Sequence, residues 1–404
     1  MQMPLGWIDF SKNERNKVLS VLDLLSESGT LDELGIAPVR DGFANLFYPG
    51  TSTIQTRAKY FLIVPYALKD LEYSSETNPN RMLRSFDETE RKCGEILVGG
   101  EDTDGIIGKR SLAQGKWVKR TPADIYWAGL RYYGIFTGGT VSLTEYVHAV
   151  SRLKSRKATL SALGNRNDTA EEGSTDDKDA GDLFHMQFWK IPVYRDNWLD
   201  ELNIKLTVDE GQFLKKQMIS AYPDSMMAYI LRYNLTEIFG CKYFQDLEPL
   251  INMFPEQIQR DYYLANDFSA FLFVLRTIYN MIISEGKNEE ANITWEKLKP
   301  DLNVLASVDL DSIIARLGIA RNVFLCNFLR KSQSLMEAGD LEGMMTEIKR
   351  RERDLKQSRA KTLHPGEFDP YIWYGGGLLD YRFGNAKVII GDIFESEGIY
   401  VKSK

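Results

Sequence analysis

Apolar positions along this chain recur mostly at the three- and four-residue spacing that puts them on one side of a helix. Ser11-Lys-Asn-Glu14 has the form of a capping box and opens such a run to Ser26, with Val18, Leu22 and Leu25 on one face. Thr30-Leu-Asp-Glu33, Ser142-Leu-Thr-Glu145 and Thr207-Val-Asp-Glu210 repeat the device. Arg120 to Gly134 is a further helix, with Thr121 as cap, Pro122 in the first turn, Asp124 at the positive end and Gly134 as the stop. Pro255 to Glu285 reads as a long central helix with a break near Asn266. Helices over Asp309–Leu317, Arg321–Ala338 and Asp340–Leu355 follow, and Gly375-Gly376-Gly377 precedes a last one from Leu378 to Phe394. Alternation is scarce: Gly115–Lys119 and Phe136–Val141 are predicted to pair as a short ribbon. The expected fold class is mostly α.

Composition then sets boundaries. A chain of 404 residues supports two or three domains. Ala158 to Asp182 is nearly devoid of apolar residues and sets seven acids against two bases, net −5. Such a stretch buries too little to offset its ordering entropy and reads as a disordered loop or linker, either inert and solvated or folding back to compete with DNA for the basic face. The resulting partition is a helical region over 1–105, a basic module over 106–157, the acidic linker over 158–182 and a helical bundle over 183–404.

Several classes are excluded. No apolar run has the roughly 18 to 20 residues of a membrane span, because Phe268–Ile283 contains Arg276 and Asn280. Met1 to Phe10 does not have the pattern of a secretory signal. Cys93, Cys241 and Cys326 are far apart and odd in number, which fits reduced thiols in the cytoplasm. His148, His185 and His364 do not have metal-ligand spacing. Phosphate-loop, nucleophile-elbow and His-Glu-x2-His patterns do not occur. Glu347-Ile-Lys349, with Asp340 upstream, sits on a helical pattern where residues i and i+2 diverge. No catalytic residue, cofactor or metal is therefore expected.

Charge changes the picture most. The chain carries net −7, yet Ile106–Lys157 holds ten bases against Asp124 and Glu145, which is +8. Trp117, Tyr126, Trp127, Tyr132 and Tyr133 are threaded through it. Two helices joined by a glycine-containing connection and preceded by a basic arm have the outline of a helix-turn-helix or winged-helix module. The expected phosphate contacts are Arg110, Lys116, Lys119, Arg120, Arg131, Arg152, Lys154 and Lys157, with Trp117 or Tyr132 stacking or wedging. A second basic run, Lys349 to Lys361, is +5 and includes Lys349, Arg350, Arg351 and Arg353. Its place at a helix C-terminus is also what the helix dipole favours.

Near the N-terminus, Arg57 and Lys59 adjoin the apolar run Tyr60–Val64. An arginine carried towards a buried surface needs a carboxylate or carbonyls, and Asp9 or Asp41 is the expected partner.

Leu5-Gly-Trp-Ile-Asp-Phe-Ser11, Thr56-Arg-Ala-Lys-Tyr-Phe-Leu62, Pro122-Ala-Asp-Ile-Tyr-Trp-Ala-Gly-Leu130 and Leu379-Asp-Tyr-Arg-Phe383 occur in this order. The set resembles an uncharacterised bacterial family of unknown function over nearly the full length. That resemblance implies no catalytic residue, and it implies the company of helicases and phosphodiesterase-type nucleases in anti-phage defence islands. The leading expectation is a non-enzymatic, DNA-binding accessory protein that docks a helicase or nuclease. The alternatives are a scaffold whose basic face meets an acidic protein, and a divergent enzyme of unknown reaction.

Overall fold

The computed structural model describes residues 32–164, 188–192 and 194–401, with the backbone alone for 157–164. The expected helix opened by Ser11 and residues 165–182 of the acidic linker lie outside the described residues. So does Asp9. The helix expected from Thr30 is corrected: residues 32–36 are turn and coil, and the helix begins at Ala37. The described residues form helices α1 (Ala37–Phe47), α2 (Tyr60–Tyr73), α3 (Pro79–Val98), α4 (Lys109–Leu112), α5 (Pro122–Tyr132), α6 (Leu143–Gly164) and α7 (Val208–Ala221). Then come α8 (Met226–Tyr233), α9 (Glu256–Ile283), α10 (Glu289–Leu298), α11 (Leu302–Ala306) and α12 (Leu310–Leu317). The last three are α13 (Val323–Glu337), α14 (Leu341–Lys356) and α15 (Phe383–Ser396).

Local chemistry sets most of the helix starts. Thr121 and Thr207 each accept from the amide three residues on, while Asp124 and Glu210 reach back to the cap amide. Ser142 and Glu145 do the same at the head of α6. Asp309, Asn322 and Asp340 cap α12, α13 and α14 with their side chains.

Four further expectations are corrected. The long helix α9 is continuous through Asn266. α6 continues to Gly164, past the point where the linker was expected to begin. The last helix begins at Phe383 rather than Leu378, because Tyr381 and Arg382 hold left-handed backbone with φ of 49° and 66°. The ribbon does not form: the described residues contain one isolated antiparallel bridge, and it joins Phe136 to Trp189. Gly115 turns at φ 68° and Lys116 donates back to the Ser111 carbonyl, so this chain closes on α4 and cannot extend.

Contacts divide the chain into two discontinuous units, one of Met1–Gly42 with Tyr263–Leu379 and one of Phe43–Tyr262 with Asp380–Lys404. In the first, α13 packs on α11, α12 and α14. Residues 263–283 of α9 bury Phe268, Phe271, Leu272, Leu275 and Ile278 there. The second is built around α2, buried from Tyr60 through Leu68 and at Leu71, a helix apolar on all sides. α3 and α5 pack on α2, α4 and α6 on α3, and α7 on α8 and α15. Gly129 of α5 approaches the turn before α2 so closely that a Cβ would lie 2.6 Å from the Gly50 carbonyl.

Polar groups at the head of α2 tie this second unit together. The Arg57 side chain is 2 % exposed, and its Nε lies 3.1 and 3.0 Å from the two Asp392 oxygens. Its Nη1 donates to Asp102 at 3.0 Å and to the Asp104 carbonyl at 2.9 Å. Asp392 also accepts the Ala58 amide at 2.8 Å. The Tyr126 hydroxyl of α5 accepts the Thr56 and Arg57 amides and donates to the Arg57 carbonyl. Gly105, at φ 68°, passes so near that a Cβ would come within 2.9 Å of Arg57 Cγ. Arg57 thus has the carboxylate its burial demands, but the acids are Asp392 and Asp102. Asp41 instead carries Arg40 at 3.0 Å.

Removing one member of a buried pair strands the other's charge, at a cost of about 3–5 kcal/mol. Arg57→Met is expected to lower the urea midpoint by that equivalent, whereas Asp41→Ala changes it little. Equal midpoints for the two variants would show that Arg57 does not hold this unit together.

Candidate nucleic-acid interface

The basic segment resolves into residues that face solvent and residues the fold has already used. Lys109-Arg-Ser-Leu-Ala-Gln-Gly-Lys-Trp-Val-Lys-Arg120 contains five bases and no acid, and all five are exposed. Lys109 donates to the Thr103 hydroxyl at 2.6 Å. The side chains of Arg110, Lys116, Lys119 and Arg120 make no hydrogen bond or ion pair among the described residues. The segment is seated by Trp117 and Leu112, which lie against Gly94 of α3. Trp117 is half-buried there, so the ring expected to stack or wedge is a packing group; its Nε1 is buried without a partner among the described residues.

The remaining expected contacts divide differently. Lys154 donates to the Leu71 carbonyl at 2.6 Å, to Ser74 Oγ at 3.0 Å and to the Glu76 carbonyl at 3.1 Å. It thereby caps the C-terminal end of α2, and burial lowers its pKa. Arg131 is half-buried and donates to the Gly139 carbonyl at 3.1 Å. Tyr132 is 42 % exposed and stacks on Tyr222 with centroids 5.8 Å apart. Arg152 and Arg156 are exposed on α6, and Arg152 donates to the His148 carbonyl at 3.3 Å. The Lys157 side chain lies outside the described residues.

The two exposed groups occupy opposite ends of α3. Residues 109–120 sit at Gly94, whereas α6 is anchored near the start of α3 by Ser151 donating to the Thr77 carbonyl. At 1.5 Å per residue these points are roughly 25 Å apart along the chain axis. α5 and α6 are joined by residues 133–142, longer than the three or four residues of a helix-turn-helix connection.

The second basic run is largely consumed by its own unit. Arg351 is buried, donating to the Leu34 and Gly35 carbonyls and lying over the Phe328 ring. Arg350 pairs with Glu347 and Asp354. Lys349 and Arg353 alone of the four are exposed without a partner among the described residues.

Residues 2–163 match the model of a family of unknown function, DUF6361. Comparison with the curated proteins gave no match, and comparison with the solved structures gave none. The match ends before Leu379-Asp-Tyr-Arg-Phe383, so the full-length extent of the resemblance is corrected to its N-terminal part. Within the DUF6361 match, Thr56–Leu62 and Pro122–Leu130 are interior: Arg57, Lys59, Tyr60, Tyr126 and Leu130 are all buried. These motifs are signatures of how the unit is held together. The exposed bases at 109–120 also lie inside the match, between the two motifs.

Glu90, a buried acid, supports this region without a cation beside it among the described residues. Glu90 of α3 is 1 % exposed and accepts the Ala123 amide at 2.7 Å, at the positive end of α5. Burial raises its pKa from the usual 4.5 to about 8, against the hydrogen bonds from Ala123 and Thr121 that lower it. Between these values the folded chain holds a proton that the unfolded chain has released. This contribution to stability is therefore complete below pH 4.5 and is lost as pH rises to 8. Glu90→Gln keeps an acceptor and removes the ionisation. The variant is expected to match the parent at pH 5 and to exceed it at pH 9 by on the order of a few kcal/mol in urea unfolding. A parent-like pH dependence in Glu90→Gln would exclude Glu90 as its source.

Proposed function

We propose that this protein binds nucleic acid through the surface carried by Lys109–Arg120, with Arg110, Lys116, Lys119 and Arg120 contacting phosphates. The observation that supports the reading is that five bases lie within this segment without an acid, all exposed. In a chain of net −7 such bases are left free against the bulk charge, and a polyanion is the ligand that rewards them. Arg152 and Arg156 form a second exposed pair at the other end of α3, suited to a second phosphate stretch on a long ligand. Phosphate contact of this kind positions a duplex without reading its sequence. The rest of the chain docks a partner of helicase or nuclease type, a role taken from the family resemblance and tested by co-purification.

A second reading, an acidic protein as the partner of the same surface, is favoured by the net charge, since bulk repulsion opposes DNA. Duplex DNA retention titrated with salt separates the two. Each phosphate contact contributes about 0.9 to the slope of log K against log salt. Lys116→Glu with Lys119→Glu is expected to flatten that slope by about 1.8 and to weaken binding, by the same rule. Lys154→Ala is expected to destabilise the fold and leave the slope unchanged. A parent slope near zero overturns nucleic-acid binding. Loss of a protein partner with unaltered DNA retention in the double variant transfers the surface to the second reading.

A further inference from the structure

The second unit also contains a cavity of about 600 Å³ beside α2 and the head of α7, within the range of small-molecule sites. Its lining includes the Lys59–Glu210 pair, and this pair is unlike a surface salt bridge. Lys59 is 6 % exposed, and its Nζ lies 2.7 Å from both Glu210 oxygens. Glu210 also accepts the Thr207 amide at 2.8 Å. An ammonium has three N–H donors; two go to Glu210, and the third has no partner among the described residues. Two turns along the same helix, Tyr66 is also 6 % exposed and lines the cavity, and its hydroxyl makes no hydrogen bond among the described residues. Two donors on side chains nine-tenths buried thus line the cavity with hydrogen-bonding capacity that the described residues do not use. Their polar atoms are accessible from it, so an acceptor placed there is bonded directly.

The walls are aromatic. Trp198 packs on Tyr66 with ring centroids 5.6 Å apart, and its Nε1 is fixed by Asp70 at 3.0 Å. Phe213 lines the same space. At the rim, Lys216 is exposed without a side-chain partner among the described residues, and the Arg195 guanidinium lies 3.6 Å from Glu201. The interior thus offers donors beside a neutralised ion pair, with three of the carboxylate's roughly four acceptor sites already used. A neutral acceptor edge suits it better than an anion or an amino group. Lys216 and Arg195 are the exposed cations of the lining, which they share with the exposed carboxylates Glu201 and Asp209.

We propose that this cavity binds a nucleoside monophosphate whose base presents acceptors, guanine rather than adenine. The base packs against Trp198 and Phe213 with its acceptor edge on Tyr66 and Lys59, and the phosphate lies at Lys216 and Arg195. Guanine offers O6 and N7 as acceptors, whereas adenine places a donor at N6. The site is independent of the basic surface at 109–120.

Isothermal titration of the full chain with GMP, AMP, guanosine and inorganic phosphate tests this. Saturable GMP binding is expected, about tenfold tighter than AMP, the equivalent of one hydrogen bond made rather than opposed. Tyr66→Phe is expected to weaken GMP by about five- to tenfold with an unchanged circular dichroism spectrum. Lys216→Glu is expected to weaken GMP and leave guanosine unaltered. Lys116→Glu with Lys119→Glu is expected to bind GMP as the parent does, so failure of the nucleic-acid reading leaves this result standing. No saturable heat from GMP at millimolar concentration overturns the proposal. So does AMP binding as tightly as GMP, or equal GMP affinity in the parent and Tyr66→Phe.

Discussion

A guanidinium held almost entirely out of water is the constraint on which the second unit depends. Arg57 draws Asp392, Asp102 and the Asp104 carbonyl onto one planar group. A buried arginine leaves no latitude, because each donor without an acceptor costs as much as several surface contacts supply. The chain at the head of α2 has no regular hydrogen-bonded structure of its own. It is held by side chains from α5 and α15 and by the loop before α4. α2 can be apolar on every side through Leu68 because the polar contacts that place it are gathered at its two ends.

That arrangement gives the surface its character. With the motif residues Arg57, Lys59, Tyr60 and Tyr126 committed to the interior, the exposed part of the basic segment is free of structural duty. Trp117 and Leu112 seat it on Gly94, and the five bases before, between and after them are exposed. The same economy explains why Lys154 and Arg351, equally basic on paper, are not available. Each terminates a backbone that has run out of partners, the end of α2 in one case and the Leu34–Gly35 turn in the other. A count of positive charges therefore overstates the surface from which a polyanion benefits.

How much could be read beforehand follows from the range of the interaction concerned. Capping is settled within three residues, so Thr121, Ser142, Thr207, Asp309 and Asp340 mark helix starts that the structure keeps. The mostly helical class follows from the same periodicity. A break is expected near Asn266, but a long helix tolerates polar residues on the side away from its core, and α9 runs on through it. Arg57 was legible as a buried charge in need of an acid. Its partner was not, since Asp392 lies 335 residues away. Lys59 and Glu210 are separated by 151 residues and could be read singly, as a motif position and a capping-box glutamate, but not as a pair. The cavity beside them left no local signal, because its walls come from α2, the chain before α7 and α7 itself.

The separation of Arg57 from Asp392 has a consequence for how the chain is made. A ribosome releases the arginine 335 residues before its principal counter-charge. Until α15 emerges, the head of α2 presents an ammonium, a guanidinium and a strongly apolar helix with one wall of their enclosure missing. Long-range pairing of this kind slows folding and prolongs the exposure of sticky surface. Completion of this unit thus waits for α15, however much of the preceding chain has been made. A nascent chain stalled short of Asp392 is a substrate for chaperones or proteases rather than a half-working protein.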